Sequence, residues 1–516
     1  HGRDRRQRQM CIRDSLHTGL VDDQSDSNQC YGEIHTGDAW KPALRHYCGQ
    51  KGSHMPLSLV VFGDKTHTDL HGSLSVTPII FTLTCFNRKA RNNPNFWRPL
   101  AYIPNLSHGK GKSSRVESSV KMQDEHNCLA LAFKSLSDLH KSGRGVRALV
   151  RGKFVTGVVW IHFFIGDIQG NNTWLGHYNA SCKMKRPYRD CWCRFFDMSS
   201  PNPCCHYVTL LEISEAKRKR LETGTEKEKK KIFKRLSKHA IKNALTEGGL
   251  PLSDLTHGVY KMTPPELLHT SGSGIILYIF SVLTSNMSKS NLCTIDEVHQ
   301  TLCRDIRRQS ERDFPRGANR NGLADGTKCQ STERRGNLLL LLCIAYTAVG
   351  SEALQQYFDN VGISHSQFCD FIKLYLAMEE WMHDHNHKKK VTKARKMVAS
   401  VLRKLQKIFP RNNGRGWNIP KIRGMTKMIE YIRLFGSGIN FYGGPGESHH
   451  KYFVKSPGDL TQRRVSEFAK QVANRVYESM SFEIANEGVK KEKERWTLDG
   501  ETTKNHTDEE LSLIHI

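Results

Sequence analysis

The sequence lacks an apolar run long enough to cross a membrane. Its longest apolar runs are IILYIFSVL at 275–283 and LLLLLCIAYTAV at 338–349, whereas a transmembrane helix needs about 20 apolar residues. Neither end of the sequence has the apolar centre of a signal peptide. We therefore expect both runs to be buried core helices, and we expect no membrane partner.

Acidic residues are few relative to basic ones. The chain has 51 Asp and Glu against 78 Lys and Arg, which gives a formal net charge of +27. A surplus of this size favours a polyanionic partner, because basic charge attracts phosphate-rich molecules. Net charge does not determine a fold, so a basic protein without such a partner stays open as the alternative.

The two ends of the sequence, 1–15 and 511–516, look like translated sequencing-adapter read-through. We interpret both as artefacts, and we expect 491–516 to be a disordered tail that includes the second one. The chain is then a fragment whose natural start is missing. The first segment carries five Arg and two Asp, so removing it lowers the net charge from +27 to +24 and the basic character survives.

Cysteine is present in an odd number, 15, without a secretory signal. This favours reduced thiols in an intracellular protein over a disulfide framework. Five of the cysteines form a cluster: Cys182, Cys191, Cys193, Cys204 and Cys205. A dense cluster of this kind favours a metal site over a disulfide.

The pattern of elements predicts a mixed α/β fold. At 516 residues the chain exceeds what one hydrophobic core usually supports, so we expect two or more domains. Apolar and β-branched runs predict strands at 57–62, 76–86, 98–106 and 154–167. A helix is predicted at 116–141, and from about 207 to 430 the pattern becomes helical throughout.

Two helical segments are strongly basic. The segment 215–245 is highly charged and includes KRKR at 217–220. The segment 388–409 has apolar residues at helical spacing with Lys and Arg opposite, which predicts a basic amphipathic helix. A solvated face of a helical bundle and a DNA-contacting face both fit this pattern, and KRKR also fits a nuclear localisation signal.

Two of the predicted strands each end at an aspartate. LVVFGD ends on Asp64 and FFIGD ends on Asp167. Two carboxylates at one sheet edge would repel each other unless a divalent cation or a raised pKa relieves them. Metal-assisted phosphoryl chemistry uses such a pair. Ordinary strand-end turn residues are the alternative, because Gly-Asp is a common turn dipeptide.

Several longer motifs carry a resemblance to a known family. They are GDKTHTDLHGSLSVTPIIFTL, FWRPLAYIPN, GDIQGNNTWLGHYN, RPYRDCWC, TPPELLHT, GWNIPKIRGMTKM, FYGGPGESHHKYFVK and TQRR. In this order, from about 30 to 480, the sequence resembles the Plavaka-like transposases of the CACTA superfamily. The resemblance implies a DDE transposase with an RNase H-like core that carries out cut-and-paste DNA transposition with Mg²⁺ or Mn²⁺.

The resemblance also implies the site residues. The family's three acids fall on Asp64, Asp167 and Glu447, which would be both catalytic and metal-binding. The basic residues expected to contact DNA phosphates are Lys65, Lys451, Lys455, Arg463 and Arg464. A glutamate that merely complements a helix N-terminus is the alternative for Glu447.

A zinc site is a further expectation from the resemblance. Its candidate ligands are Cys191, Cys193 and His269, with Glu266 three residues before the histidine. Pro264 and Pro265 are expected to start a helix that carries Glu266 and His269 on one face. The spacing is C-x-C rather than the more usual C-x-x-C, so buried free thiols stay open as the alternative. Rival ligands are His177, Cys182, Cys204, Cys205 and His206.

The expected organisation follows the resemblance. An N-terminal segment at 16–55 precedes the first part of the RNase H-like core at 56–245, whose zinc-binding segment is 177–206. A helical insertion domain at 246–430 separates this part from the completion of the core at 431–490.

The expected partners are duplex DNA, at the transposon ends and the target, and further copies of the chain in a synaptic complex. The expected location is the nucleus. A catalytically inactive or domesticated DNA-binding protein is the alternative function, and a related nuclease without strand transfer is a third. Retention of all three acids favours the enzyme.

Overall fold

The structure is a computed structural model. It describes residues 30–49, 54–69, 74–106, 114–150, 153–179, 184–201, 206–305, 329, 331–384 and 386–498. The segments interpreted as artefacts, 1–15 and 511–516, lie outside these residues, as do the three zinc candidates Cys182, Cys204 and Cys205.

Six strands form one sheet and two short strands pair separately. The strands are β1 (Cys30–Tyr31), β2 (His54–Gly63), β3 (Thr66–His67), β4 (Ser75–Leu83), β5 (Arg98–Pro104), β6 (Val146–Val150), β7 (Lys153–Ile165) and β8 (Asn386–His387). In the large sheet β4 pairs with β5, β3 and β2, while β7 lies between β2 and β6. The β2–β7 pair is parallel and the other pairs are antiparallel.

Helices cover the sheet and make up the middle of the chain. They are α1 (Trp40–Cys48), α2 (Arg88–Arg91), α3 (Ser114–Ala132), α4 (Lys134–Lys141), α5 (Ile168–Trp174), α6 (Leu210–Glu222), α7 (Glu226–Arg235), α8 (Ala244–Glu247), α9 (Leu277–Ser285), α10 (Lys289–Asp305), α11 (Ser331–Tyr346), α12 (Ala348–Val361), α13 (His365–His383), α14 (Val391–Ile408), α15 (Pro420–Phe435), α16 (Gly444–His450), α17 (Ser456–Asp459) and α18 (Phe468–Leu498). Two π-helical stretches, Leu268–Ile276 and Lys451–Lys455, precede α9 and follow α16.

The predicted mixed α/β class is confirmed, and so are the four predicted strands, which correspond to β2, β4, β5 and β7. Strands β1, β3, β6 and β8 were not predicted. Strands β1, β3 and β8 have only two residues each, too few to show a period, and β6 has five. One helix start was also wrong. Residues 263–266 are not helical, and the π-helical stretch begins at Leu268.

The predicted domain boundaries stay predictions. One continuous cluster of buried apolar side chains includes both sheet residues such as Val61 and helix residues such as Leu354 and Ile432. The sheet and the helical region therefore share a core.

Among the described residues, one helix is long and apolar enough to cross a membrane by length and composition alone. It is Leu268–Ser285, with 61% of its residues buried inside the protein. The pair Glu333–Tyr346 and Ala348–Val361 passes only if the two helices count as one span, and it is bent by 100°. Burial of this extent is equally typical of core helices, so the result is weak support for a membrane span.

The predicted basic amphipathic helix is confirmed as α14. Its apolar positions, including Val398, Val401 and Leu405, are buried against α13 and α15. The side chains of Lys393 and Lys404 lie on the exposed side.

A buried ion pair joins the segment RPYRDCWC to helix α15. The Asp190 carboxylate is fully buried and contacts the Lys427 ammonium at 2.5 Å. The Tyr431 hydroxyl donates to the other Asp190 oxygen at 2.5 Å. The Lys427 ammonium also lies 3.7 Å from the centre of the Tyr207 ring. These contacts fix the segment that follows the second predicted acid against the helical region.

Substitution of Lys427 by Met should destabilise the fold strongly. It leaves the buried Asp190 carboxylate without its cation, a change that typically costs about 3–5 kcal/mol of unfolding free energy. Urea denaturation measures the effect. The matched control is Lys404→Met on the exposed face of α14, which we expect to stay within about 0.5 kcal/mol of the parent. Equal stabilities for the two variants would contradict the proposed importance of the pair.

Candidate active site

The register of two parallel strands brings two acids to one edge of the sheet. In the β2–β7 pair Phe62 is opposite Ile165. Asp64 lies two residues after Phe62, and Asp167 lies two residues after Ile165. Both aspartates therefore lie at the same end of the sheet. Buried parallel strands are apolar along their whole length, which is why the acids appear only where the strands end.

Glycines allow the chain to pack closely behind these acids. A Cβ atom on Gly166 would lie 3.0 Å from the Gly63 carbonyl oxygen, and one on Gly170 would lie 3.2 Å from the same oxygen. Asp167 is the N-cap of α5, and its side chain accepts a hydrogen bond from the Gly170 N–H at 2.5 Å. Asp167 therefore also caps a helix, a role that the sequence analysis did not predict.

Helix α16 carries the third predicted acid to the same place. A Cβ atom on Gly446 would lie 2.4 Å from the Phe62 ring, so only glycine permits this approach of α16 to the end of β2. The His450 Nδ1 atom is 2.6 Å from the Thr66 hydroxyl. These contacts hold the first turn of α16, which contains Glu447, beside the strand end that leads into Asp64.

The three acids interact electrostatically. The pKa of Asp64 is raised to about 7, first by burial and then by the carboxyl groups of Asp167 and Glu447, against lowering by His269. The pKa of Glu447 is likewise raised to about 7, first by burial and then by Glu266 and Asp167, against lowering by His269 and Lys455. The site thus contains more negative charge than its surroundings neutralise.

His269 supplies part of the missing positive charge. Its Nε2 atom is 3.1 Å from a Glu447 oxygen, and its Nδ1 atom is 2.5 Å from a Glu266 oxygen. Burial lowers the pKa of His269, but Glu266, Glu447 and Asp167 together outweigh burial and raise it to about 9. The imidazole is therefore protonated at neutral pH and lies between two carboxylates.

Glu266 connects two distant segments at this point. It is nearly fully buried, with 3% of its surface exposed. One of its oxygens accepts the His269 backbone N–H at 2.6 Å, and the other accepts the Gly443 N–H at 3.3 Å. A Cβ atom on Gly443 would lie 2.9 Å from the Glu266 carboxylate. Glu266 therefore holds both His269 and the loop that leads into Glu447.

The carboxylates are suited to a divalent cation, although they are not arranged around one. Within the described part of the chain, no group of three or more His, Cys, Asp or Glu side chains is positioned to hold a metal ion. Asp167 is engaged as a helix cap and Glu447 as a partner of His269. The donors themselves are carboxylate oxygens with uncompensated charge, which fit Mg²⁺ or Mn²⁺.

The predicted zinc ligands are not brought together among the described residues. His269 contacts the acids, whereas the Cys191 thiol accepts a hydrogen bond from the Arg423 guanidinium at 3.6 Å. The Cys193 thiol donates to the Arg194 carbonyl oxygen at 3.3 Å. Within the described part of the chain, these three side chains do not form a group that could hold a metal ion. Zinc stays a prediction, which metal analysis of the purified protein would test.

The rival zinc ligands that can be described also have other partners. Both ring nitrogens of His177 lie near backbone carbonyl oxygens, of Tyr178 at 2.8 Å and of Arg186 at 3.0 Å. The Nε2 atom of His206 is 3.1 Å from Glu212.

The residues predicted to contact DNA are exposed. Lys65 directly follows Asp64, and Lys455 is close enough to lower the pKa of Glu447. Lys451, Arg463 and Arg464 are exposed on the segment after α16. Arg463 also pairs with Asp459 at 2.6 Å. Lys65 and Lys455 therefore lie near the acids, and Lys451, Arg463 and Arg464 are exposed downstream of them in the sequence.

One cation at this site was missed in the sequence. Lys421 lies in the first turn of α15, and its ammonium donates to the Ser273 carbonyl oxygen at 2.5 Å. Burial lowers the pKa of Lys421, while Glu266 and Asp167 oppose the shift. The residue is part of the motif GWNIPKIRGMTKM, but no local pattern shows that a lysine at a helix start faces acids of another segment.

The raised pKa of Asp64 predicts a pH-dependent stability. The folded protein holds this proton more tightly than the unfolded chain, so the contribution to stability is present at low pH and lost as the pH rises through about 7. In metal-free protein with a chelator, Asp64→Asn should therefore raise the melting temperature above pH 7 and change it little near pH 4. The exposed control Asp138→Asn should show no such difference. A lower melting temperature for Asp64→Asn at high pH would contradict the account.

Comparison with known proteins identifies the family. The family model described as Plavaka transposase matches residues 17–277, about half of the chain. The matched segment includes Asp64, Asp167, Glu266 and His269 and ends before Glu447. A search of curated proteins gives no significant match. On the strength of the family match, the chain belongs to the Plavaka transposase family.

Proposed function

We propose that the protein is a DDE-type transposase, which cleaves DNA at transposon ends and joins the freed ends to target DNA. Transposases in general bind DNA and break or rejoin its phosphodiester bonds. The observation that carries the finer proposal is the raised pKa of Asp64, caused by burial and by the nearby Asp167 and Glu447. Three carboxyl groups that converge from distant segments, partly desolvated and short of positive charge, are typical of metal-dependent phosphoryl transfer.

The same three residues would hold the metal. Asp64, Asp167 and Glu447 offer the oxygen donors that Mg²⁺ and Mn²⁺ prefer. Bound there, the cations would activate an attacking oxygen and stabilise the leaving oxygen of a phosphodiester. The parallel register of β2 and β7 fixes the first two carboxylates, and the packing of Gly446 on Phe62 fixes the third.

Glu266 and His269 position Glu447 in this proposal. The Glu266 carboxylate binds the Gly443 N–H and His269, and the His269 imidazolium binds Glu447. This chain of contacts holds the first turn of α16 near the strand ends even though the helical region separates the segments. The positive charge of His269 also reduces the repulsion among the carboxylates.

DNA would approach past the exposed basic residues. Lys65 and Lys455 lie next to the acids, and Lys451, Arg463 and Arg464 continue the basic surface along the following segment. Cationic side chains at such positions contact phosphates without reading the base sequence. They would orient the DNA backbone relative to the acids.

The larger organisation belongs to the same proposal. An RNase H-like core would be formed by the sheet with its antiparallel strands β2, β4 and β5 and the parallel strand β7, completed by α16. The helical region at 246–430 would be an insertion within this core. Membership of the CACTA superfamily, assembly into a synaptic oligomer and action in the nucleus are parts of the proposal that rest on the family match.

Loss of one acid should abolish the chemistry and leave DNA binding intact. Asp64→Asn removes charge needed to hold a divalent cation but leaves the basic surface unchanged. We expect no nicking or strand-transfer products from labelled transposon-end DNA with Mg²⁺ or Mn²⁺, and unchanged binding of the same DNA. Glu447→Gln should behave in the same way.

The control variant is Asp138→Asn, which removes an exposed carboxylate on α4 and should cleave like the parent. A chelator should stop cleavage by the parent protein. Normal cleavage by Asp64→Asn would overturn the assignment. DNA binding by the parent without any cleavage under these conditions would favour the inactive DNA-binding protein instead.

A further inference from the structure

Helix α14 exposes a face that carries charge of one sign only. Five of its exposed basic side chains form this face: Lys393, Lys396, Arg403, Lys404 and Lys407. No acidic residue occurs in the sequence between Asp384 and Glu430. A surface of this length without a single carboxylate differs from the mixed charges of an ordinary solvated helix face.

The geometry of the helix places these five cations together. At 3.6 residues per turn they fall within a sector of about 100°, on the side opposite the buried positions. The buried side, with Val398, Val401 and Leu405, is packed against α13 and α15 and fixes the orientation of the helix. From Lys393 to Lys407 the basic face extends about 21 Å at 1.5 Å per residue.

These cations lack acidic partners within the described residues. No described carboxylate lies within ion-pair distance of Lys393, Lys396 or Lys404. The ion pair of this helix, between Arg395 and Glu430 at 3.5 Å, lies at the flank of the basic face. Like charges held in a row repel, so the face is stabilised when a polyanion covers it.

The other basic cluster of the sequence differs from the α14 face because some of its cations have acidic partners. In KRKR at 217–220, on α6, Lys217 pairs with Glu247, and Arg218 pairs with Glu222 at 2.8 Å. The neighbouring helix α7 interleaves lysines with Glu226 and Glu228. Much of this positive charge is therefore neutralised within the protein, and the comparison favours α14 as the surface for an external partner.

We propose that the exposed face of α14 binds the phosphate backbone of duplex DNA, as a second contact surface on an element outside the acid cluster. About 21 Å corresponds to about six base pairs at 3.4 Å each, a stretch that five cations can follow. The choice of DNA as the polyanion rests on the proposed transposase function. The contacts are to phosphates, so binding at this face is independent of base sequence.

The test measures the salt dependence of DNA binding by the full chain. A fluorescent duplex of arbitrary sequence is titrated at several salt concentrations, with a chelator present so that no cleavage occurs. In the variant Lys393→Glu/Lys396→Glu/Lys404→Glu, the slope of log affinity against log salt should fall by about 2–3, since each lost phosphate contact contributes about 0.9. Affinity at moderate salt should fall at least about tenfold. An unchanged slope would overturn the proposal.

A matched control variant distinguishes an effect of the α14 face from an effect of the overall net charge. Lys219→Glu/Lys231→Glu/Lys234→Glu makes the same change in net charge at exposed positions of α6 and α7. We expect its slope to stay within about one unit of the parent. An equal loss in both variants would show that net charge suffices and would reject a specific role for α14.

A second variant controls for misfolding and for the repulsion between DNA and the introduced glutamates. Lys393→Gln/Lys396→Gln/Lys404→Gln removes the charges without reversing them and should lower the slope by a similar amount. Thermal unfolding followed by circular dichroism checks that both triple variants fold. Because the binding assay contains no divalent cation, its result does not depend on whether the acids cleave DNA. Failure of the cleavage proposal and failure of this one are thus distinguishable.

Discussion

Strands β2 and β7 leave the core in parallel and in register, and each is followed by an aspartate at the same sheet edge. Burial there disfavours the charged form of the Asp64 carboxylate, and Asp167 and Glu447 add two further negative groups nearby. Like charges in a poorly solvated place are unfavourable unless protons or cations balance them. Several contacts around the three acids offset this repulsion.

The groups that offset the repulsion come from segments far apart in the sequence. His269 brings a positive charge between Glu266 and Glu447, and the Glu266 carboxylate holds the Gly443 N–H, 177 positions away. The π-helical stretch that carries His269 packs against α11 and α15 in the helical region. The helical region therefore supports the site directly, through contacts with its charged residues.

The sequence predicted the parts of this arrangement that follow from local patterns. Apolar runs that stop at Asp64 and Asp167 revealed the strand ends, and the spacing of Val398, Val401 and Leu405 revealed the orientation of α14. The partners of His269 could not be read in this way, because Glu266 and Glu447 meet it only through the tertiary fold. The same holds for Lys421, and for the Asp190–Lys427 pair that joins the Cys191 segment to α15. A family resemblance was needed to single out Glu447, since one glutamate in the first turn of a helix is ordinary.

The central claim is that Asp64, Asp167 and Glu447 form one cation-binding centre. Crystals of the protein with transposon-end DNA, grown with Mn²⁺, would test it through the anomalous scattering of manganese. The account predicts an anomalous peak in contact with carboxylate oxygens of all three residues, with the His269–Glu447 contact lengthened or broken by the new ligand. A peak bound elsewhere, with Glu447 still paired to His269 and remote from the metal, would contradict it.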